Sequence, residues 1–415
     1  MISRNAEAKK IRTKRGGVSK FASAWECSFN GRRKVLQVGA PDAAPPQQLE
    51  APSPSAPSSP PLPPQSTVAT RPTGADVHGE PPLDYDFYTK SCPSFQQIVK
   101  TQVARAILAD SLTPAKLLRL FFHDCFVMGC DASLLLNSTV VNLAERDHAN
   151  NFTVDKYSVI DSIKAELEKA CQAIVSCADT LGAAAAEAVE QAGGPHVDLA
   201  YGRRDGLESF APAAKTNLPA GTLQVAGLLE NFQNVGLNLT DVVVLSGGHT
   251  IGQARCSSFA DRFTPGVKNP FPDVSFGENL YTYCVEGNTI GLDRRMSLDT
   301  NSTTVFDNGY FRSLVAGRGI LTSDNILFTD PRTKPLVTQF AENQDAFFTA
   351  FKESMAKMGR IVVLTGTQGQ IRKQCWVRNP IDANLRPEAN MDFAPQSTKF
   401  CRQKPCNPTC SDPAS

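Results

Sequence analysis

Arg119 and His123 stand four residues apart in Arg119-Leu120-Phe121-Phe122-His123-Asp124-Cys125, so a helix would carry both on one face with Phe122 beside them. A cation held one turn from an imidazole lowers the histidine pKa and keeps the ring available as a base near neutral pH. The same guanidinium can stabilise negative charge developing on a bound oxygen. Taken alone, the pair also fits an amphipathic helix with a single satisfied histidine.

The residues that follow weigh against that simpler reading. Cys125 and Cys130 are five apart, and in a continuous helix their Cα atoms would be separated by at least ~7.5 Å of rise. A bridge between them requires the helix to stop near Cys125. The loop Asp124-Cys125-Phe126-Val127-Met128-Gly129-Cys130-Asp131-Ala132-Ser133 then offers two carboxylates, a hydroxyl and free carbonyls, a hard-oxygen set suited to Ca²⁺ but without EF-hand spacing. Zinc held by His123, Cys125 and Cys130 is the alternative, and it lacks a fourth ligand and the usual spacing.

A second histidine lies in Thr240-Asp241-Val242-Val243-Val244-Leu245-Ser246-Gly247-Gly248-His249-Thr250-Ile251-Gly252. Two adjacent glycines inside a helix cost about 1 kcal/mol each relative to alanine. A flat group lying against the backbone before His249 would explain them, and haem iron held by a histidine is one such case; a bent helix with a buried histidine is the other reading. Of the five histidines, His78, His148 and His196 lie in polar or Gly/Pro-rich stretches, and only His123 and His249 lie on apolar ones. Cys-x-x-Cys-His is absent, so covalent c-type haem attachment is not indicated.

The chain that must position these residues has 415 of them, 41% hydrophobic, enough to bury a sizeable core. No apolar run approaches the roughly 18 residues of a bilayer span. Residues 1–40 carry ten Lys/Arg against two acids, which leaves 32 bases and 39 acids, a charge of −7, for the rest. That balance opposes a nucleic-acid surface on the main body. Twelve cysteines point to an oxidising compartment, yet no apolar h-region of a secretory signal opens the sequence.

Residues 1–83 read as a disordered leader, basic and then Pro-rich, with 13 of the 29 prolines in residues 41–83. Its run Lys9–Arg15 is basic enough for a nuclear signal, or is simply a solvated tail. From residue 84 to 378 the pattern is of amphipathic helices, predicted at Phe95–Ala109, Ala115–Cys125, Val159–Cys171, Ser176–Gln191, Thr222–Val235, Thr240–Arg255, Ser257–Phe263, Asn308–Ala316 and Asp345–Gly359. The body is therefore mostly α. Residues 379–415 form a polar tail with three further cysteines.

Arg119–Ser133, Ser246–Gly252, Val175-Ser176-Cys177-Ala178-Asp179, Gly202-Arg203-Arg204-Asp205 and Phe306-Asp307-Asn308, in that arrangement over about 290 residues, resemble the plant secretory haem peroxidases of class III. The resemblance implies a mostly α haem-peroxidase fold whose distal and proximal halves enclose one haem b. It makes His123 the distal acid/base, Arg119 the distal arginine with Phe122 beside it, and Asn151 the residue that orients His123. The loop before Asp155–Asp161 is one residue shorter than the family pattern, so Asn150 competes for that role. His249 would bind the iron, with Asp324 accepting its other ring N–H.

One Ca²⁺ would take Asp124, Val127, Gly129, Asp131 and Ser133, with Glu145 reaching it through water. A second would take Thr250, Asp299, Ser302, Val305 and Asp307. Pro219 would offer its carbonyl to a phenolic donor, and Asp179 and Arg203 would form a buried ion pair. Eight cysteines permit 105 pairings; the resemblance selects Cys92–Cys171, Cys125–Cys130, Cys177–Cys375 and Cys256–Cys284, leaving Cys27, Cys401, Cys406 and Cys410 unassigned.

The function implied is a donor:hydrogen-peroxide oxidoreductase that reduces H₂O₂ and oxidises phenols in one-electron steps, in wall and lignin chemistry and oxidative stress. The expected protein is a secreted or vacuolar monomeric glycoprotein, without a membrane span or nucleic-acid partner. A non-catalytic wall protein that keeps haem and calcium is the competing reading. Sequons occur at Asn137, Asn151, Asn238 and Asn301. Asn137 and Asn238, outside the site segments, suit glycosylation; Asn151 and Asn301 are expected to be chance matches.

Overall fold

The computed structural model describes residues 82–263, 271–286, 289–291 and 294–380. The leader up to residue 81, the tail from residue 381 and Cys27, Cys401, Cys406 and Cys410 lie outside the described residues.

The first half is built around a helix with almost no side chains of size. α1 (Phe95–Ala109), α2 (Thr113–Val127) and α3 (Tyr157–Ala170) pack about α4 (Cys177–Gln191). α4 opens on Ser176, whose hydroxyl accepts the Asp179 amide, as a helix N-cap does. Its run Gly182–Ala186 is buried throughout, so neighbouring helices approach closely and large residues such as Phe121 on α2 fill the interface. α2 starts at Thr113-Pro114, where proline's missing N–H costs nothing. It buries Leu117, Leu120, Phe121 and Cys125, which leaves Arg119 and Phe122 on its other face.

The second half comprises α5 (Ala211–Asn217), α6 (Val225–Asn234), α7 (Leu239–Ser246), α8 (Val274–Cys284), α9 (Gly309–Val315), α10 (Thr322–Thr329), α11 (Lys334–Glu342) and α12 (Gln344–Met358). Phe306, Phe311, Phe340, Phe347 and Phe351 pack ring against ring in its core, Phe306 edge-on to Phe351, Phe311 edge-on to Phe347, and Phe340 tilted against Phe311. Among the described residues, four short strands, β1 (Gln253–Arg255), β2 (Val285–Glu286), β3 (Thr289–Ile290) and β4 (Arg295–Ser297), make two antiparallel ribbons, β1 with β4 and β2 with β3. The fold is the mostly helical one expected.

All four disulfides implied by the resemblance form, with Cα separations of 5.5, 4.0, 5.6 and 5.6 Å in chain order. α2 runs on to Val127, two residues past the expected stop, and Gly129 at φ 116° then turns the chain so that Cys130 meets Cys125. Arg203 and Asp179 pair at 2.7 Å with neither side chain more than 1% exposed. Tyr88 and the Gly202 amide donate to the other Asp179 oxygen, so the pair is satisfied on both sides. Asp205, from the same motif, caps the Ala178 amide and accepts the Arg372 amide, tying the start of α4 to the strap that ends at Cys375.

The helix expected over Thr240–Arg255 is interrupted. It ends at Ser246, continues as a 3₁₀ turn over Gly247–Thr250 and becomes β1, whose pairing with β4 claims the backbone beyond. Ser257–Phe263 likewise lies within a kinked 3₁₀ segment, Cys256–Phe263. Periodicity does not single out helices α5, α8, α10 and α11; α5 and α10 are only seven and eight residues long, too short to repeat an apolar face. Among the sequons, Asn151 is buried, whereas Asn137, Asn238 and Asn301 are exposed. Crowding thus excludes a glycan at Asn151 and does not exclude one at Asn301.

Candidate active site

Three segments converge on His123. α2 supplies the histidine and Arg119, and two successive 3₁₀ turns, Glu145–Asp147 and Ala149–Asn151, supply the support. His123 Nδ1 lies 2.6 Å from Asn151 Oδ1, and Asn151 Nδ2 donates to the Glu145 carbonyl at 2.7 Å. A carbonyl can only accept, so the amide nitrogen must face Glu145 and the amide oxygen must face the ring. Nδ1 is then the donor and Nε2 holds the lone pair. Asn150 is committed elsewhere, donating to the Ala214 carbonyl at 3.0 Å.

Arg119 Nε donates to His123 Nε2 at 3.1 Å, and its Nη1 donates to both the carbonyl and hydroxyl of Thr153 at 2.9 and 2.8 Å. Burial first, and then the neighbouring guanidinium, push the His123 pKa down to about 3, with Asn151 opposing weakly. The ring is therefore neutral and basic at Nε2 across the physiological range. Phe122 stands edge-on to His123 with ring centroids 5.6 Å apart, and stacks at a tilt on Phe126. Thr153 shows in the sequence only as the third residue of the Asn151 sequon, in the loop that departs from the family pattern, and nothing there marks it as an anchor for Arg119.

His249 sits on the 3₁₀ turn after α7. Its Nδ1 donates to Asp324 Oδ1 at 2.8 Å, and Asp324 Oδ2 accepts the Leu321 amide at 2.9 Å. Asp324 is buried while the His249 side chain is 37% exposed. With Nδ1 committed, Nε2 is left as a lone-pair donor without a partner among the described residues, as an iron ligand requires. The turn packs beneath α2: a Cβ on Gly248 would come within 3.2 Å of Leu118. The glycine pair does not lie bare as expected, however. A Cβ on Gly247 would meet Phe347 at 2.5 Å and Phe311 at 2.9 Å, so close core packing is what demands that residue.

Two carboxylate clusters flank these histidines. In the first, Asp124 accepts the amides of Ala132 and Leu134, and Asp131 accepts that of Ser133. Ser133 Oγ and Glu145 Oε2 are buried with no partner. Burial raises the pKa of Asp124 well above the usual range, with repulsion from Asp131 and Glu145 adding to it; burial also raises Asp131 and takes Glu145 to about 8. The Val127 carbonyl at the end of α2 accepts a bond from Asn217 on α5, and Pro219 follows that helix half-buried, apart from the hydrogen-bonded set around His123.

In the second cluster, Asp307 Oδ1 accepts Thr250 Oγ1 at 3.0 Å and the Gly309 amide at 2.6 Å. Asp299 Oδ1 accepts the Asn301 amide and Ser313, while its Oδ2 is buried and unpartnered. A Cβ at position 309 would lie 2.1 Å from that oxygen, so only glycine lets the backbone pass. Ser302 Oγ accepts the Val305 amide, and the Val305 side chain is half exposed. Neither cluster gathers three His, Cys, Asp or Glu side chains in metal-binding array; no such group occurs among the described residues. Each sets two aspartates beside a hydroxyl group, Ser133 in the first and Thr250 in the second, oxygen donors of the hard kind that Ca²⁺ prefers.

Residues 99–343 match the family model described as Peroxidase. The chain is 42% identical to Peroxidase 66 of Arabidopsis thaliana over 297 residues, 71% of this chain and 91% of that protein. It is 42% identical to cationic peroxidase SPC4 of Sorghum bicolor over 312 residues, covering 74% and 85% of the two chains. A peroxidase of Armoracia rusticana gives 42% over 303 residues, 71% of this chain and 85% of its own. The matched stretch is the one that folds around His123 and His249, and on that identity and coverage the chain belongs to the peroxidase family, among its plant class III members.

Proposed function

We propose that the peroxidase activity of this chain is carried by His123, Arg119 and Asn151 on one side of a single haem b held by His249, with two Ca²⁺ ions fixing the loops on either side. The residues fit both groups. His249 has one nitrogen tied to Asp324 and the other free, and the buried oxygens of Ser133, Glu145 and Asp299 without hydrogen-bond partners are donors of the hard kind that Ca²⁺ takes. When bound, haem supplies the iron at which peroxide is cleaved and the oxidising equivalents that donors then draw down one electron at a time.

The chain's own part is proton handling and charge stabilisation. His123 Nε2 takes a proton from H₂O₂ and returns it to the departing oxygen, while Asn151 holds Nδ1–H and so prevents the other tautomer. Arg119 must give up its bond to Nε2 for this; its two bonds to Thr153 anchor Nη1 while Nε swings toward the developing negative charge. Asp324 draws on Nδ1–H of His249 and makes the iron ligand more basic. Phe122 walls His123 from the side, and the Pro219 carbonyl accepts a hydrogen bond from a phenolic donor. The first Ca²⁺ would be held by Asp124, Val127, Gly129, Asp131 and Ser133, with Glu145 behind them, and the second by Thr250, Asp299, Ser302, Val305 and Asp307.

The observation that carries this reading is the chain from His123 through Asn151 to the Glu145 carbonyl. Asn151→Ala should lower the second-order rate with H₂O₂ by about 10–100-fold, the usual effect of losing an orienting partner, at unchanged haem content; an undiminished rate would remove Asn151 from the site. Native protein should hold two Ca²⁺ per chain by elemental analysis, and Asp299→Ala should hold one. Two ions remaining in that variant would contradict the second site.

The set of paired residues at His123 speaks against the non-catalytic wall-protein reading. Among the described residues no helix is long and apolar enough to cross a membrane. Four disulfides among the described residues and exposed sequons support a secreted or vacuolar protein in an oxidising compartment.

A further inference from the structure

Tyr310 has no part in the proton transfer just described, yet its hydroxyl lies on the most sensitive bond of the proximal side. It donates to Asp324 Oδ1 at 3.0 Å, the same oxygen that accepts His249 Nδ1–H at 2.8 Å. The tyrosine is 1% exposed, and its ring stands edge-on to His249 with centroids 5.9 Å apart. The Leu321 amide takes the other carboxylate oxygen. The negative charge of Asp324 is thus shared among three donors, and each one reduces what is left to draw on Nδ1–H.

We propose that Tyr310 is a positioning residue for the proximal pair: by competing with His249 for one carboxylate oxygen, it limits the anionic character of the iron-bound imidazole and so sets the ferric/ferrous equilibrium of the haem. This rests on the reading of His249 as the iron ligand and Asp324 as its acceptor. Hydrogen bonding beyond the ligand is one of the levers by which a protein tunes haem potential. The shared oxygen also fixes the Asp324 rotamer, since its two oxygens are held from opposite sides by Tyr310 and the Leu321 amide. Arg262, the charged neighbour of this segment, donates to the carbonyls of Gly319, Ile320 and Leu321.

The test is the Fe³⁺/Fe²⁺ midpoint potential and the iron–histidine stretching frequency of full-length protein loaded with haem and Ca²⁺. Tyr310→Phe keeps the ring and removes only the donor. It should move the equilibrium about tenfold toward ferric iron, about 59 mV for one electron, and raise the stretching frequency. A residue that merely filled the core would alter stability or haem retention and leave both readouts in place. Substituting 3-fluorotyrosine at position 310, a stronger donor of nearly the same size, should shift both in the opposite direction, and it decides the matter if the phenylalanine variant does not take up haem. Unchanged readouts in the haem-loaded variants would overturn the proposal. Asp324→Asn separates the two layers: if it too leaves the potential unchanged, the proximal pair itself has been misassigned; if it alone moves the potential, only Tyr310 has.

Discussion

Replacing His123 by alanine should leave haem content at the wild-type level and slow the reaction with hydrogen peroxide by about 10²–10⁴-fold, the range that positioned acid–base groups supply. The upper end is expected because one imidazole serves twice, as base toward the bound peroxide and then as acid toward the departing oxygen. Neither side chain bonded to His123 can substitute for it. Asn151 has no titratable proton, and Arg119 is a cation: burial brings it only to about 10. The pH profile gives the same assignment a second check. Burial and Arg119 hold the His123 pKa at about 3, below its ordinary 6.5, and the active form is the neutral one. The rate should therefore stay level from pH 7 to about 5 and fall only as pH drops toward the depressed pKa. A rate that already halves near pH 6.5 would mean that the ring is not shielded as described.

His249→Ala should abolish haem retention, and activity with it. Loss of a partner that merely orients a ligand costs about 10–100-fold in affinity, and loss of the ligand itself costs more. The hole left by the side chain opens on the same exposed space as the imidazole, so free imidazole in the buffer should restore part of the haem binding. Normal haem content in the variant without added imidazole would contradict the assignment. Asp324 makes the distinction sharper, because it is buried beside Tyr310 and holds Nδ1 of His249, so it would act on a group at Nε2 through that ring.

Much of this is legible in the chain itself. Arg119 and His123 announce themselves through helical spacing, and α1 forms over the range its apolar period prescribes. The oxygen-rich run after Asp124 reads as a cation site from composition, and the unpartnered Ser133 and Glu145 oxygens give that reading a physical basis. Other parts are legible only through likeness to a family, the disulfide pairing above all, since 105 connectivities are equally consistent with cysteine spacing.

What could not be read is tertiary. The segment after Ser246 has helical periodicity, but β1 needs its backbone for β4, a partner some forty residues on, and that contest leaves no local mark. The glycine at 247 is explained by Phe347 a hundred residues later rather than by anything beside it in the chain. Thr153 and Tyr310 stand close in sequence to Asn151 and Asp307, but only the fold shows that one anchors Arg119 and the other shares an oxygen with His249. Asn301, although next to a proposed ligand in sequence, is exposed.

The central claim is that one haem, held by His249, meets peroxide under the control of His123. The most direct test is the absorption spectrum of protein folded oxidatively with haem and Ca²⁺, recorded before and after one equivalent of H₂O₂ and again after a phenol. The expected result is a high-spin ferric spectrum that peroxide converts within seconds and that phenol returns to its starting form. Haem bound but unaltered by peroxide, in protein shown to be folded, would contradict it.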